Sequence, residues 1–371
     1  MTLDARSAAA LFSPDKLRQA RQMQAITRAE LAQRADLSAA AISQYEAGSM
    51  RPRPATVAQL ALVLNVPLVF LTESRTHVPL PSVDASFFRS LRRTTQRDRE
   101  RATAYAGLLA QLVAEIERRV TLPAFDPMPE LALDPDDEPE AAERAARRVR
   151  EVWGLSDEPI RHVVRLVERH GIIVARLPLS SVDVDAFSWA DGPRPLILLG
   201  DDKRNFERSR FDASHELAHI LLHAADPEPA HPRMEKQAHR YAGAFLIPSE
   251  ALADEWPQGR WEWNQLIRIK ERWGIPIAAQ LMRGRDLGLI SPASYQSKVK
   301  YMSRMGWRRT EPGPQRPPEK PDLVNQAIGL LEQNGVALDD LTEQGHLLAP
   351  DAVLDVLCLA PKPPLRVDTA D

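Results

Sequence analysis

The sequence predicts a multidomain protein with an all-α N-terminal domain, an α+β domain and a helical C-terminal extension. Three observations carry this prediction. Short helical patterns separated by turn residues fill residues 13–75, helix and strand patterns alternate over residues 141–310, and proline-rich stretches separate the parts. The length of 371 residues fits two or three domains, and the apolar share of 44% is typical of a globular chain.

The domain boundaries follow from shifts in composition. In chain order we predict a helix-turn-helix domain, a connecting helix, a proline-rich acidic linker, the α+β domain and a small helical appendix, over residues 1–76, 82–122, 123–140, 141–310 and 311–371. The connecting helix carries arginines in its first half. It is either a connecting or dimerising helix whose basic end touches DNA, or a helix packed on the α+β domain with a solvated arginine face.

The composition excludes several classes of protein. No stretch approaches about 18 consecutive apolar residues, so the sequence predicts no membrane span. The single cysteine, Cys358, excludes an internal disulfide and favours the reducing cytoplasm. The net charge is −3, so any contact with nucleic acid has to be local.

The first domain contains four predicted helices with helix-turn-helix spacing. Pro14 opens the first, Thr27 and Glu30 form a capping-box pattern for the second, Ser38 caps the third, and ATVAQLALVLNV is the fourth. The third helix is the one that would enter the major groove. Its candidate base contacts are Ser38, Ala39, Ala40, Ser43 and Gln44, and the candidate phosphate contacts are Arg28, Arg51 and Arg53. The alternative is a helical module that binds only protein.

The segment TRAELAQRADLSAAAISQYEAGSMRPRPATVAQLALVLNVP resembles the XRE family, the lambda-repressor and Cro type of DNA-binding domain. The resemblance implies double-stranded DNA as a partner and a homodimer on two half-sites. It also implies an ion pair between Arg21 and Glu46.

The sharpest motif is His215-Glu216-Leu217-Ala218-His219. Residues four apart lie on one face of a helix, so the two imidazoles can bind one Zn²⁺ ion. Glu216 lies beside the first histidine and can take a proton from water that the metal activates. The apolar helix and the preceding strand-like segment PLILLG are the context that this HExxH pattern needs.

The residues offer several candidates for the third metal ligand. His223 lies about 12 Å along the axis from His215, too far to share one ion, so a structural role is favoured. Ala225 stands where a metzincin has a histidine, which excludes that class. The next helix offers Glu235 and His239 on one face. The intervening loop offers Asp226, Glu228 and His231. We favour Glu235, which leaves a fourth position open.

HELAHILLH followed by EKQAHRYAGAFLIP resembles the ImmA/IrrE family of metallo-endopeptidases, which implies a zincin-like fold for the α+β domain. The resemblance implies one Zn²⁺ ion held by His215, His219 and Glu235, with Glu216 as the general base. Manganese or iron also suits such ligands. His239 stands where the family usually has asparagine, so it either donates a hydrogen bond to the transition state or packs the helix.

These features predict a cytoplasmic DNA-binding transcription regulator whose zinc endopeptidase domain cleaves a protein partner, by resemblance a repressor. The alternative is a non-catalytic transcription factor or antitoxin-type regulator that uses the metallopeptidase fold as a sensor or a partner-binding domain. A DNA-cutting hydrolase is disfavoured, because two-metal nuclease sites need clustered carboxylates and none surround HELAH.

Overall fold

The computed structural model describes residues 3–73, 78, 87–88, 95–177, 186–200, 205–224, 231–259, 261–357 and 359. The predicted architecture is confirmed, because a helical N-terminal region precedes a mixed α/β domain and further helices follow it. None of the helices in these ranges has both the length and the apolar character needed to span a membrane.

The N-terminal domain is a bundle of short helices. They are α1 (Ala5–Ala10), α2 (Pro14–Met23), α3 (Arg28–Arg34), α4 (Ala39–Glu46) and α5 (Pro54–Leu64), and a 3-10 turn over Leu68–Leu71 follows. The predicted capping box is present, since Glu30 N–H donates to Thr27 Oγ1 at 3.1 Å and Thr27 N–H to Glu30 Oε2 at 2.6 Å. Helix α1 was not predicted, and its N-terminus is capped by Asp4, whose carboxylate accepts from Ser7 N–H at 2.8 Å.

The connecting helix α6 (Gln96–Glu117) packs against α2. Several side-chain hydrogen bonds join the two helices; among them, Gln19 Nε2 donates to the Ala104 carbonyl, Tyr105 Oη to the Met23 carbonyl, and Lys16 Nζ to Gln111 Oε1. The C-terminal helices α15 (Leu323–Gln333) and α16 (Leu338–Gln344) also contact α6, and α17 (Pro350–Val356) packs on α16. Cys358 and the arginines at 89, 92 and 93 lie outside the described residues.

One sheet of four strands joins the parts. The strands are β1 (Phe87–Phe88), β2 (Ile173–Leu177), β3 (Ala186–Trp189) and β4 (Leu196–Gly200), in the spatial order β1-β3-β4-β2. Strand β3 is antiparallel to both neighbours, whereas β2 and β4 are parallel. Strand β4 lies in the strand-like segment PLILLG, and β2 and β3 lie in the region where helix and strand patterns were predicted to alternate. Residues 178–185 lie outside the described ranges.

The two faces of the sheet belong to different apolar cores, because successive side chains of a strand point to opposite faces. Phe187 and Leu198 join a first core with the N-terminal bundle, α6 and the C-terminal helices. Ala186 and Ile197 join a second core with the helices of the α+β domain. These helices are α7 (Pro139–Val152), α8 (Val163–Arg169), α9 (Phe206–Leu222), α10 (Pro232–Leu246), α11 (Ser249–Glu255), α12 (Trp263–Trp273), α13 (Ile277–Asp286) and α14 (Pro292–Arg304).

Both proline-rich stretches lie against the α+β domain. Leu131 is buried in the second core, and Leu133 N–H donates to the Leu222 carbonyl at the end of α9 at 2.9 Å. In the stretch after α14, the buried Glu311 carboxylate accepts from Ile277 N–H at the start of α13, at 2.9 Å. Glu319 accepts from Val164 N–H at the start of α8, at 2.8 Å, and pairs with Arg210 of α9 at 2.5 Å. Buried carboxylates therefore hold the stretch after α14 in place.

Candidate metal centre and DNA-reading helix

Helix α9 carries the HELAH motif through the middle of the α+β domain. Asn205 begins the helix by accepting from Arg208 N–H at 2.9 Å, and the buried ion pair of Arg210 with Glu319 fixes its first half. The helix contacts β3, β4 and α10. His215, Glu216 and His219 are fully buried as a result.

Three predicted ligands converge between α9 and α10. The Nε2 atoms of His215 and His219 lie 3.1 Å apart. Glu235 presents Oε2 at 3.4 Å from His215 Nε2 and Oε1 at 3.3 Å from His219 Nε2. Ligand atoms at about 2.0–2.1 Å from one tetrahedral Zn²⁺ ion are about 3.3–3.4 Å apart, so the spacing of these atoms and their chemistry fit such an ion.

A chain of hydrogen bonds sets the orientation of His219. Gln237 Nε2 donates to the Asp134 carbonyl at 2.8 Å, so Gln237 Oε1 accepts from His223 Nε2–H at 3.0 Å. His223 Nδ1 then accepts from His219 Nδ1–H at 3.1 Å. This assignment leaves the lone pair of His219 Nε2 directed at the ligand cluster, which is the tautomer that metal binding needs.

The pKa values of two groups fit this arrangement. Burial, and then the neighbouring His219, lower the pKa of His223 to about 3, so its ring stays neutral. Burial alone would raise the pKa of Glu235, but the two adjoining imidazoles of His215 and His219 outweigh burial and hold the pKa well below its ordinary value. Glu235 is therefore a carboxylate, as a metal ligand has to be.

Glu216 points to the sheet side of the centre. Its Oε2 accepts a hydrogen bond of 2.7 Å from Ser188 Oγ, on the strand β3. Both side chains are fully buried. A buried carboxylate that accepts a hydrogen bond from a buried hydroxyl has a defined orientation, which is what a proton-transferring group requires.

The other candidate ligands lie apart from this cluster or outside the described residues. His239 Nδ1–H donates to the Glu235 carbonyl at 2.7 Å, and its ring centroid lies 4.6 Å from that of His215. His231 is the N-cap of α10, where Nδ1 accepts from Arg233 N–H. Asp226 and Glu228 are outside the described ranges. His239 therefore lies beside the cluster, and His231 serves the helix end.

In the N-terminal domain, the predicted base-contacting residues of α4 are exposed together. They are Ser38, Ala39, Ala40, Ser43 and Gln44. Of the predicted phosphate contacts, Arg53 and Arg51 are also exposed, and Arg51 donates to the Ala10 carbonyl at 3.0 Å. Arg28 is exposed, but its Nε donates to Glu46 Oε2 at 2.7 Å.

The Arg21–Glu46 ion pair is present in bidentate form. Arg21 Nε and Nη2 donate to the two oxygens of Glu46 at 2.5 and 3.1 Å. Burial favours a raised pKa for Glu46, yet the hydrogen bonds from Arg21 and Arg28 lower it. The pair ties α2 to the last residue of α4 and so fixes the angle of the exposed helix.

Comparison with known families agrees with the two-domain layout. Residues 17–71 match the helix-turn-helix family, and residues 167–283 match the IrrE N-terminal-like domain, a peptidase family. The chain joins these two domains in that order. No curated protein matches the sequence. The first match supports a DNA-binding regulator and the second a peptidase-like domain.

Sequence reasoning missed two residues of the IrrE-like domain, Ser188 and Gln237. A single serine in the apolar strand AFSW is the only signal for the first. Gln237 has no signal of its own, because its role depends on the Asp134 carbonyl, which lies outside the segment that matches the IrrE-like domain.

Proposed function

We propose that this chain is a transcription regulator that binds double-stranded DNA through α4 and cuts a protein partner at the α9–α10 centre. The observation that carries the proposal is the convergence of His215, His219 and Glu235 beside the buried Glu216. The protein that the chain cuts in this proposal is a regulatory protein such as a repressor. We place the chain in the cytoplasm. We also propose that it is a homodimer, because helix-turn-helix dimers bind paired half-sites.

In this proposal His215, His219 and Glu235 hold a single Zn²⁺ ion. When bound, such an ion supplies Lewis-acid polarisation of a peptide carbonyl and of water. Glu216 takes a proton from the attacking water at a carboxylate oxygen and passes it to the leaving amine nitrogen. Ser188 orients that carboxylate by donating a hydrogen bond from Oγ to Glu216 Oε2.

The metal site is tested by elemental analysis of the purified full-length chain. We expect one equivalent of zinc in the wild type and in Glu216→Gln, and none in His215→Ala. Circular dichroism is the control for folding. Equal metal content in wild type and His215→Ala would contradict the ligand assignment.

Peptidase activity is tested by mapping new protein N-termini in cells that express the wild type or Glu216→Gln. We expect cleavage products in wild-type cells only, since the substitution keeps the ligands and removes the proton acceptor. Identical sets of N-termini, with unchanged regulation, would favour the non-catalytic alternative.

DNA binding is tested on a sequence selected from random duplexes. Gln44→Ala should relax the preference at one base pair and cost about 1–3 kcal/mol there. Arg53→Gln should weaken all sequences alike and lower the salt slope by about one. Affinity that is insensitive to salt would contradict phosphate contact.

A further inference from the structure

The outer edge of the sheet beside the candidate catalytic centre is covered by a remote piece of the chain. Strand β1 pairs antiparallel with β3, in the register Phe87 with Ser188 and Phe88 with Phe187. It belongs to the connection between the N-terminal bundle and α6, well before the segment that matches the IrrE-like domain. The edge strand therefore comes from the connection to the DNA-binding domain.

This edge lies next to the proposed general base. Ser188, the register partner of Phe87, donates from Oγ to Glu216 Oε2 at 2.7 Å, and β3 packs directly on α9. A main chain that pairs with β3 thus runs past the residue that orients Glu216. A scissile peptide presented in this way would be extended and held by its own backbone groups, the mode in which peptides add to sheet edges.

Within the described residues, the resident strand pairs with two of the four residues of its partner. Strand β3 has four residues, and β1 pairs with the middle two, Phe187 and Ser188. An incoming extended segment would need the same edge backbone groups of Phe187 and Ser188 that β1 uses, so it can pair with this part of β3 only where β1 has been displaced.

We infer that β1 is an autoinhibitory strand: this chain's own residues 87–88 occupy the β3 edge, along which an extended protein substrate would pair, until such a substrate displaces them. That the displacing protein is a substrate rests on the peptidase function proposed above, whereas strand exchange at β3 does not depend on it. Recognition through backbone groups would be antiparallel to β3 and weakly dependent on sequence. Because β1 lies in the connection between the N-terminal bundle and α6, displacement of β1 by a substrate would move the segment that joins the two domains.

The test uses the full chain carrying Glu216→Gln, so that no peptide is cut. A fluorescein-labelled peptide with the sequence of residues 84–91 is titrated, and anisotropy reports binding. The double variant Phe87→Pro with Phe88→Pro removes the backbone donors of β1. The matched control, Phe87→Leu with Phe88→Leu, removes the rings and keeps the donors.

We expect the proline variant to bind the peptide at least ten-fold more tightly than the parent chain, and the leucine control to resemble the parent. Equal affinities in all three chains would overturn the inference. Circular dichroism and thermal unfolding verify that each variant folds.

If the proline variant does not fold, a disulfide variant tests the same inference. In a Cys358→Ser background, Phe87→Cys with Ser188→Cys places two thiols at paired positions, which a disulfide can join. Closing it should abolish peptide binding, and reduction should restore it. Binding that is the same in both forms would contradict occupation of the edge by β1.

Failure of the docking inference and failure of the peptidase function would give different results. Tighter peptide binding by the proline variant, together with no cleavage in cells, would keep the docking site and reject the peptidase. Cleavage in cells without any gain in peptide binding would do the reverse.

Discussion

Lys16 offers a sharp test of how the N-terminal bundle is joined to the rest of the chain. Its ammonium group is buried and donates to Gln111 Oε1 of α6 at 2.7 Å and to the His346 carbonyl at 3.2 Å. It also lies 4.6 Å from the centre of the Phe70 ring. Burial lowers the pKa of Lys16 to about 7, from an ordinary 10.5. The imidazole of His346, whose main-chain carbonyl accepts from Lys16, contacts Thr72 Oγ1.

The direction of the pH effect follows from proton binding. Between pH 7 and 10.5 the unfolded chain keeps a proton on Lys16 that the folded chain lacks, so raising the pH favours folding. With pKa values of 10.5 unfolded and about 7 folded, this group adds about 2 kcal/mol to the free energy of unfolding between pH 7 and 9. The effect should vanish in Lys16→Met.

The measurement is urea unfolding of wild type and Lys16→Met at pH 7, 8 and 9, followed by circular dichroism. The wild type should gain stability relative to the variant by about 2 kcal/mol over this range. Lys300→Met, at an exposed lysine of α14, is the matched control and should differ from wild type by a constant amount. A constant difference for Lys16→Met as well would refute a buried, neutral amine at this junction.

Three further outcomes are expected. Gln237→Leu should weaken zinc affinity by about 10–100-fold in chelator competition while the thermal midpoint changes little, because it removes the hydrogen bond to His223 and not a ligand. An unchanged affinity would argue against the role of the Gln237–His223–His219 hydrogen bonds. Glu46→Gln should cost about 3 kcal/mol in urea unfolding, because it leaves the buried guanidinium of Arg21 without its counter-charge; a loss near zero would show that the pair is dispensable. Gly171→Ala should destabilise far more than Gly154→Ala, since both have positive φ but only at Gly171 would the new Cβ meet backbone, that of residues 124 and 125; similar losses would contradict that close approach.

The sequence predicted the local features well, because they depend on neighbouring residues. The capping box at Thr27, the cap at Ser38 and the helical spacing of His215 and His219 follow from fixed offsets along a helix. The position of Glu235 against both histidines needed the resemblance to a family, since the residues alone left other acidic groups of the loop open.

The remaining features depend on contacts between distant parts of the chain. No offset connects Ser188 with Glu216 or Gln237 with the Asp134 carbonyl, so neither contact could be predicted. The buried carboxylates Glu311 and Glu319 lie in a proline-rich stretch that composition alone marks as a break between domains. Their function as helix caps appears only once α13 and α8 are in place.

The sheet packs one face against each of two cores, and this packing limits how the two candidate sites can move relative to each other. Because the helix that presents Gln44 and the strand that presents Ser188 are built onto one continuous apolar core, the distance and angle between α4 and the α9–α10 centre are set by packing and not by a flexible linker. If the partner protein sits on adjacent DNA, its accessibility should follow the rotational phase of the duplex. Inserting half a helical turn, about 5 base pairs, between the two sites would turn the partner to the opposite side.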